Sequence, residues 1–288
     1  MAKLSRDGVN IYYEVHGTGP VILLSHGYSA SSEMWRGQIE PLSREHTLLL
    51  WDMRGHGLSD YPADPAAYSE AATVADMAAL LDAVNAPSGV VGGLSLGGYM
   101  SLAFRKAHAE RVKALLIIDT GPGFRSDQGR AEWNRFALDR AERLAKEGLA
   151  ALNAASPEVM ASRHRSAEGL VLAARGMLTQ RTAAVIDALP SISVPTIVIV
   201  GANDKPFLNA ADYMAKKIPG AEKVIIPDAG HAVNLDQPAA FNAAMRLCSP
   251  PSSPTRCSSQ GQKPVRYMST TIDNGSFICV PLTAWIRS

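Results

Sequence analysis

A serine with a glycine two residues away on each side, Gly93-Leu94-Ser95-Leu96-Gly97, can sit on a strand-to-helix turn too tight for larger neighbours. Such a turn lifts the hydroxyl to where a substrate can reach it. Serine is a poor nucleophile near neutral pH, so it needs a base within hydrogen-bond reach and a third group to hold that base. Asp204, in Gly201-Ala202-Asn203-Asp204, and His231, in Pro227-Asp228-Ala229-Gly230-His231, supply those residue types. The chemistry open to such a set is acyl transfer. Asp119, which follows the apolar run Leu115-Leu116-Ile117-Ile118, is a second candidate for the acid. With 23 glycines in the chain the pentapeptide alone is weak, and a serine that merely caps the next helix would look the same. Its flanks decide: Ser88-Gly89-Val90-Val91-Gly92 is a short apolar run after Pro87, and Gly98 to Phe104 repeats apolar residues at helical spacing.

These residues can meet only if separate strands end side by side. Val9, Ile11, Tyr13 and Val15 alternate after an Asp7-Gly8 turn, which reads as an N-terminal antiparallel pair. Apolar runs follow at Val21–Leu24, Thr47–Trp51, before Ser95, at Ala114–Ile118, Thr196–Val200 and Lys223–Ile226. Most are continuous, as strands covered on both faces should be. Helical patterns separate them, clearest over residues 70–85, where Val74, Met77, Leu81 and Val84 form one stripe. The alternation predicts an α/β fold: a mostly parallel open sheet flanked by helices, with ligands beyond the carboxyl ends of the strands. Residues 121–190 break the rhythm with helical patterns and no convincing strand. Roughly seventy residues far exceed the dozen or more that a parallel crossover needs, so this interval is expected to be an inserted helical cap. The expected layout is a core over 1–120, the cap over 121–190, the rest of the core over 191–248, and an atypical tail over 249–288.

That tail opens with Pro250-Pro251-Ser252-Ser253-Pro254 and has no clear period. It is expected to be poorly ordered, as an altered reading frame or appended sequence would be. It holds four of the 28 basic residues and one of the 27 acidic ones, which leaves residues 1–248 with a net charge of −2. The basic footprint of a nucleic-acid binder is therefore missing. Three cysteines, Cys248, Cys257 and Cys279, have neither disulfide-framework nor zinc-site spacing. No apolar run is long enough for a membrane span and no signal-like segment opens the chain, so a cytoplasmic location is expected. Neither a G-x-G-x-x-G nor a G-x-x-x-x-G-K-[ST] pattern occurs, and no cofactor is called for.

Four separate matches make the chain resemble the α/β-hydrolase family over residues 1 to about 248. They are His26-Gly27-Tyr28-Ser29, Asp52-Met53-Arg54-Gly55-His56-Gly57-Leu58-Ser59-Asp60, the Ser95 elbow, and the Asp204 and His231 pair in that order after Ser95. The resemblance implies that Ser95 is the nucleophile, His231 the base and Asp204 the acid, with Asp204 favoured over Asp119 by its usual place in the family. It further implies an oxyanion hole from the backbone N–H groups of Leu96 and Tyr28. Here the chain has one glycine followed by tyrosine instead of the His-Gly-Gly-Gly form of many lipases and esterases. Epoxide hydrolases and haloalkane dehalogenases carry aspartate at the elbow, and Ser95 argues against both.

The expected function is a serine hydrolase of small carboxylic esters that works through an acyl-enzyme, with activity rising with pH as the histidine becomes neutral. Lactone hydrolysis, carbon–carbon bond hydrolysis or perhydrolysis would use the same triad, and a ligand receptor built on this fold is the competing class. Phe124, Trp133, Phe136, Met160 and Met177 either line an apolar pocket in the cap or pack as its core. Arg163-His164-Arg165 has the charge to grip a substrate carboxylate, but a solvated helix face is the favoured reading. His26 and His56 read as structural, and Asp52 and Arg54 as braces for a loop.

Overall fold

The computed structural model describes residues 2–153 and 156–245, together with 267–272 and 276–281. The apolar runs form one sheet of β1 (Ala2–Arg6), β2 (Val9–His16), β3 (Val21–Ser25), β4 (Thr47–Trp51), β5 (Gly89–Leu94), β6 (Val112–Ile118), β7 (Thr196–Gly201) and β8 (Glu222–Ile226). Its order is β1-β2-β4-β3-β5-β6-β7-β8. The β1–β2 and β2–β4 pairs are antiparallel, and every pairing from β4 through β8 is parallel. Asp7 and Gly8 both take positive φ, 52° and 75°, as a two-residue hairpin turn requires.

Helices α1 (Arg36–Ser43), α2 (Glu70–Ala83), α3 (Leu96–Ala107), α8 (Lys205–Lys217), α9 (Val233–Asp236) and α10 (Pro238–Met245) lie between or after the strands. The stripe predicted over 70–85 becomes α2, which starts where the Ser69 hydroxyl accepts from the Ala72 N–H. Between β6 and β7 come α4 (Asp127–Glu147), α5 (Pro157–Met160), α6 (Ala167–Ala173), a π-helical turn over Ala174–Leu178 and α7 (Ala184–Ala188), with no strand among the described residues. None of the described helices is long and apolar enough to cross a membrane.

Because side chains alternate across a strand, the continuous apolar runs feed two cores. Leu23, Leu49, Val91, Leu115, Ile117 and Val198 join one cluster with Met77 and Leu81 of α2 and Met100 and Phe104 of α3. Ile22, Leu24, Leu48, Leu50, Leu116 and Ile199 join the other, with Leu42 of α1 and Phe241 of α10. The register then lines up the strand ends: Ser25 faces Gly93, Leu94 faces Ile118, and Gly201 faces Ile226. The residues that follow these positions emerge along one edge of the sheet.

The chain divides into two units, Met1–Pro250 and Pro251–Ser288. The expectation for the tail falls outside the described residues, apart from β9 (Tyr267–Ile272) and β10 (Ser276–Pro281), which pair with each other antiparallel.

Candidate active site

The elbow is tight because three backbones cross within it. A Cβ on Gly97 would lie 2.2 Å from the Ser25 carbonyl oxygen, and one on Gly93 would lie 2.5 Å from the same atom. Ser95, at the turn between β5 and α3, has φ 55° and ψ −116°, a region that costs a residue with a side chain energy unless its surroundings hold it there. They do so at both backbone groups. The Ser95 N–H donates to the Ile118 carbonyl at 2.9 Å, and its own carbonyl accepts from the Thr120 hydroxyl at 2.6 Å and the Tyr99 N–H at 3.0 Å. Leu96 is the first residue of α3, so its N–H belongs to the helix terminus, where amides have no carbonyl partner within the helix and favour negative charge.

The second amide assigned to an oxyanion, that of Tyr28, lies in a turn closed by the Ala30 N–H on the Gly27 carbonyl at 3.1 Å, with Ser29 at φ 60°. A Cβ on Gly27 would come 3.5 Å from that of Ser95, so this turn packs against the serine. Buried His26 braces it: Nδ1–H donates to the Gly27 carbonyl at 2.7 Å, and Nε2 accepts from the Met53 N–H at 2.9 Å. Burial drives its pKa down to about 3, which keeps that tautomer neutral. Asp52 accepts from the Ser32 and Leu58 N–H groups at 2.7 and 2.8 Å, and Arg54 pairs with Asp76 at 2.7 Å. Both are braces of loops, as their positions suggested.

His164 differs from the sequence reading. The stretch around it is loop and not helix. Its Nε2–H donates to the Ser29 carbonyl at 2.8 Å while Nδ1 accepts from the Gly57 N–H at 3.2 Å. It ties the helical insertion to the turn that carries Tyr28. Arg165 bonds the Ser59 carbonyl and lies over the Tyr61 ring. No periodicity marks such a clamp, because its partners lie more than a hundred residues away.

Asp204 follows β7 and is nearly buried, with its N–H on the Gly201 carbonyl at 3.0 Å. His231 follows β8, and its ring stacks on Phe207 at 5.1 Å between centroids. The imidazole Nδ1–H donates to Asp204 Oδ2 at 2.8 Å, which leaves Nε2 for proton transfer. Ser95, Asp204, His231 and Tyr28 all line one cavity of about 410 Å³, with Gly27, Arg140 and Glu158. A second cavity of about 470 Å³, lined by Leu96, Tyr99, Phe124, Gln180, Ile186 and Tyr213, also reaches Ser95. The two share Trp133, Leu178, Pro206 and Phe207.

Of the five large side chains noted in the insertion, Phe124, Trp133 and Phe136 line these cavities, Met177 is buried in the core, and Met160 is exposed. Arg140 and Glu158 were not singled out by sequence. Arg140 holds its guanidinium over the Tyr28 and Phe136 rings at 5.5 and 5.4 Å. Glu158 is buried, and its Oε2 has no hydrogen-bond partner among the described residues. Asp119 is buried beside Asp204 and accepts the Gly201 N–H at 2.8 Å.

The sequence pattern of the alpha/beta hydrolase family matches residues 21–244. The chain is 29% identical over 259 residues to a Bacillus subtilis protein provisionally named 2-succinyl-6-hydroxy-2,4-cyclohexadiene-1-carboxylate synthase, covering 82% of this chain and 93% of that one. It is 26% identical over 258 residues to 3-oxoadipate enol-lactonase 1 of Acinetobacter baylyi, covering 82% and 92%. Among solved structures, a thermophilic esterase from Thermogutta terrifontis superposes with a TM-score of 0.73 at 28% identity, over 86% of this chain and 97% of that one.

Proposed function

The chain belongs to the alpha/beta hydrolase family, and from that premise we propose that it hydrolyses small carboxylic esters through Ser95, His231 and Asp204. The observation that carries this reading is the 2.8 Å bond from His231 to Asp204 on the wall of a cavity that Ser95 also lines.

In the proposed cycle, Ser95 Oγ attacks the ester carbonyl as His231 Nε2 takes its proton, and Asp204 stabilises the imidazolium through Nδ1–H. The Leu96 and Tyr28 amides take up the charge on the tetrahedral oxygen. The imidazolium then returns the proton to the departing alcohol, which leaves an acyl-serine. Water, deprotonated by the same imidazole, attacks that ester, and Ser95 recovers its proton as the acid leaves.

The two cavities suit an ester because its halves diverge from the carbonyl, one into each compartment. Both volumes fall in the range of small-molecule sites, about 300–1,000 Å³. The helical insertion acts as the cap of this site, since Trp133 and Leu178 line both compartments. Lactones are the second reading, favoured by the likeness to an enol-lactonase; a ring-opened lactone would pass through the same acyl-serine. A panel of p-nitrophenyl esters and lactones tests the pair. Multiple turnovers on short esters support the first reading, turnover confined to lactones supports the second, and at most a single turnover on any substrate would mark a receptor.

A further inference from the structure

Asp119 is more deeply buried than the acid it rivals, at 1% exposure against 5% for Asp204. Both are tied to Gly201: its N–H donates to Asp119 Oδ1 at 2.8 Å, and its carbonyl accepts the Asp204 N–H at 3.0 Å. The Asp119 backbone is held at φ 42° with its N–H on the Ile199 carbonyl at 2.9 Å. Through these bonds to Gly201, this strained residue brings its carboxyl beside Asp204. As two carboxylates the pair has no hydrogen to share, and Asp119 Oδ2 is then a buried oxygen with no hydrogen bond of ordinary geometry among the described residues. One proton between them removes that defect.

We propose that Asp119 is a positioning residue that stays protonated and donates its O–H to Asp204, fixing the carboxylate that holds His231. The inference rests on the proposed triad. Two buried carboxyls in contact cannot both ionise cheaply. The proton belongs on Asp119, because Asp204 already accepts the N–H of His231 and must be anionic when the imidazolium forms. Burial, and after it the charge of Asp204, holds Asp119 well above the usual carboxylate range; the Gly201 and Val233 N–H groups oppose this and are outweighed. The O–H fixes the plane of the Asp204 carboxylate and draws negative charge away from His231. Asp204 is thereby kept from taking the imidazole proton.

The same loop serves the nucleophile, since Thr120, the next residue, donates its hydroxyl to the Ser95 carbonyl. One turn after β6 thus braces both ends of the relay.

Asparagine presents the same oxygen to Gly201 and an N–H to Asp204, so Asp119→Asn should keep kcat within about threefold of the original chain. Asp119→Ala should lower kcat by about 10- to 100-fold with KM little changed, the scale of losing one hydrogen bond to a charged group. An infrared spectrum of the intact protein at pH 7 should show the carbonyl stretch of a protonated carboxylic acid, and that band should vanish in Asp119→Asn. The proposal is overturned if the band is missing from the original chain, if Asp119→Asn loses as much as Asp119→Ala, or if Asp119→Ala keeps full kcat. Should Asp119→Ala not fold, the infrared band and the asparagine variant still decide. Failure of the triad itself would show separately, as turnover that survives Ser95→Ala.

Discussion

Ser95 and Asp119 are both non-glycine residues at positive φ, at the ends of neighbouring strands β5 and β6. Such backbones cost about 1–3 kcal/mol each, and here both are over-determined by bonds to adjacent strands. Asp204, by contrast, has a negative φ of −82° and bonds His231 directly. Asp204→Asn is therefore expected to lower kcat by about 10⁴-fold, the loss seen when a triad acid can no longer hold the correct tautomer. Steady-state kinetics on a p-nitrophenyl ester measures it, and a near-normal kcat would return the role to Asp119. The raised pKa of Asp119 also sets a sign. The folded chain keeps a proton that the unfolded chain releases above about pH 4, so this residue's contribution to stability falls as pH rises from there. Urea midpoints of Asp119→Asn relative to the original chain should therefore rise between pH 5 and pH 8, and a constant difference would contradict the shift.

Among elements, the β5–α3 elbow depends on glycine for contact and not for φ. Gly97→Ala would drive a methyl group into the Ser25 and His26 carbonyls, and its expected cost is about 1–3 kcal/mol in urea unfolding together with a loss of turnover. Gly37, an exposed position of α1, has only Pro238 at 4.0 Å from its missing Cβ. There alanine should stabilise by about 0.4–1 kcal/mol, so equal effects at the two glycines would refute the packing argument. This elbow was legible in sequence because strand, glycines and helix are contiguous. The Asp204 and His231 positions were legible for a related reason: each follows an apolar run whose parallel register could be anticipated. What stayed hidden depends on long-range approach. His164 meets Ser29 across 135 residues, and Asp119 meets Gly201 across 82. Cavity-lining Arg140 and Glu158 sit on helices whose surfaces look solvated until the insertion is folded back over Ser95.

For the whole molecule, the two cores found among the described residues and every proposed site residue lie within the compact unit Met1–Pro250. A chain ending at Pro250 should keep its melting temperature and its turnover. One ending at Gln237 loses α10, with Phe241 and Met245 fully or almost fully buried. Removing a buried phenylalanine side chain alone costs about 3–5 kcal/mol, so the shorter chain should not fold. Thermal unfolding of the two truncations separates these outcomes. The central claim is that all of this architecture presents one hydroxyl for acyl transfer. Purified Ser95→Ala, folded like the original chain by circular dichroism, should turn over a p-nitrophenyl ester with kcat lower by on the order of 10⁴-fold or more. Retention of most of the turnover in that protein would contradict the account.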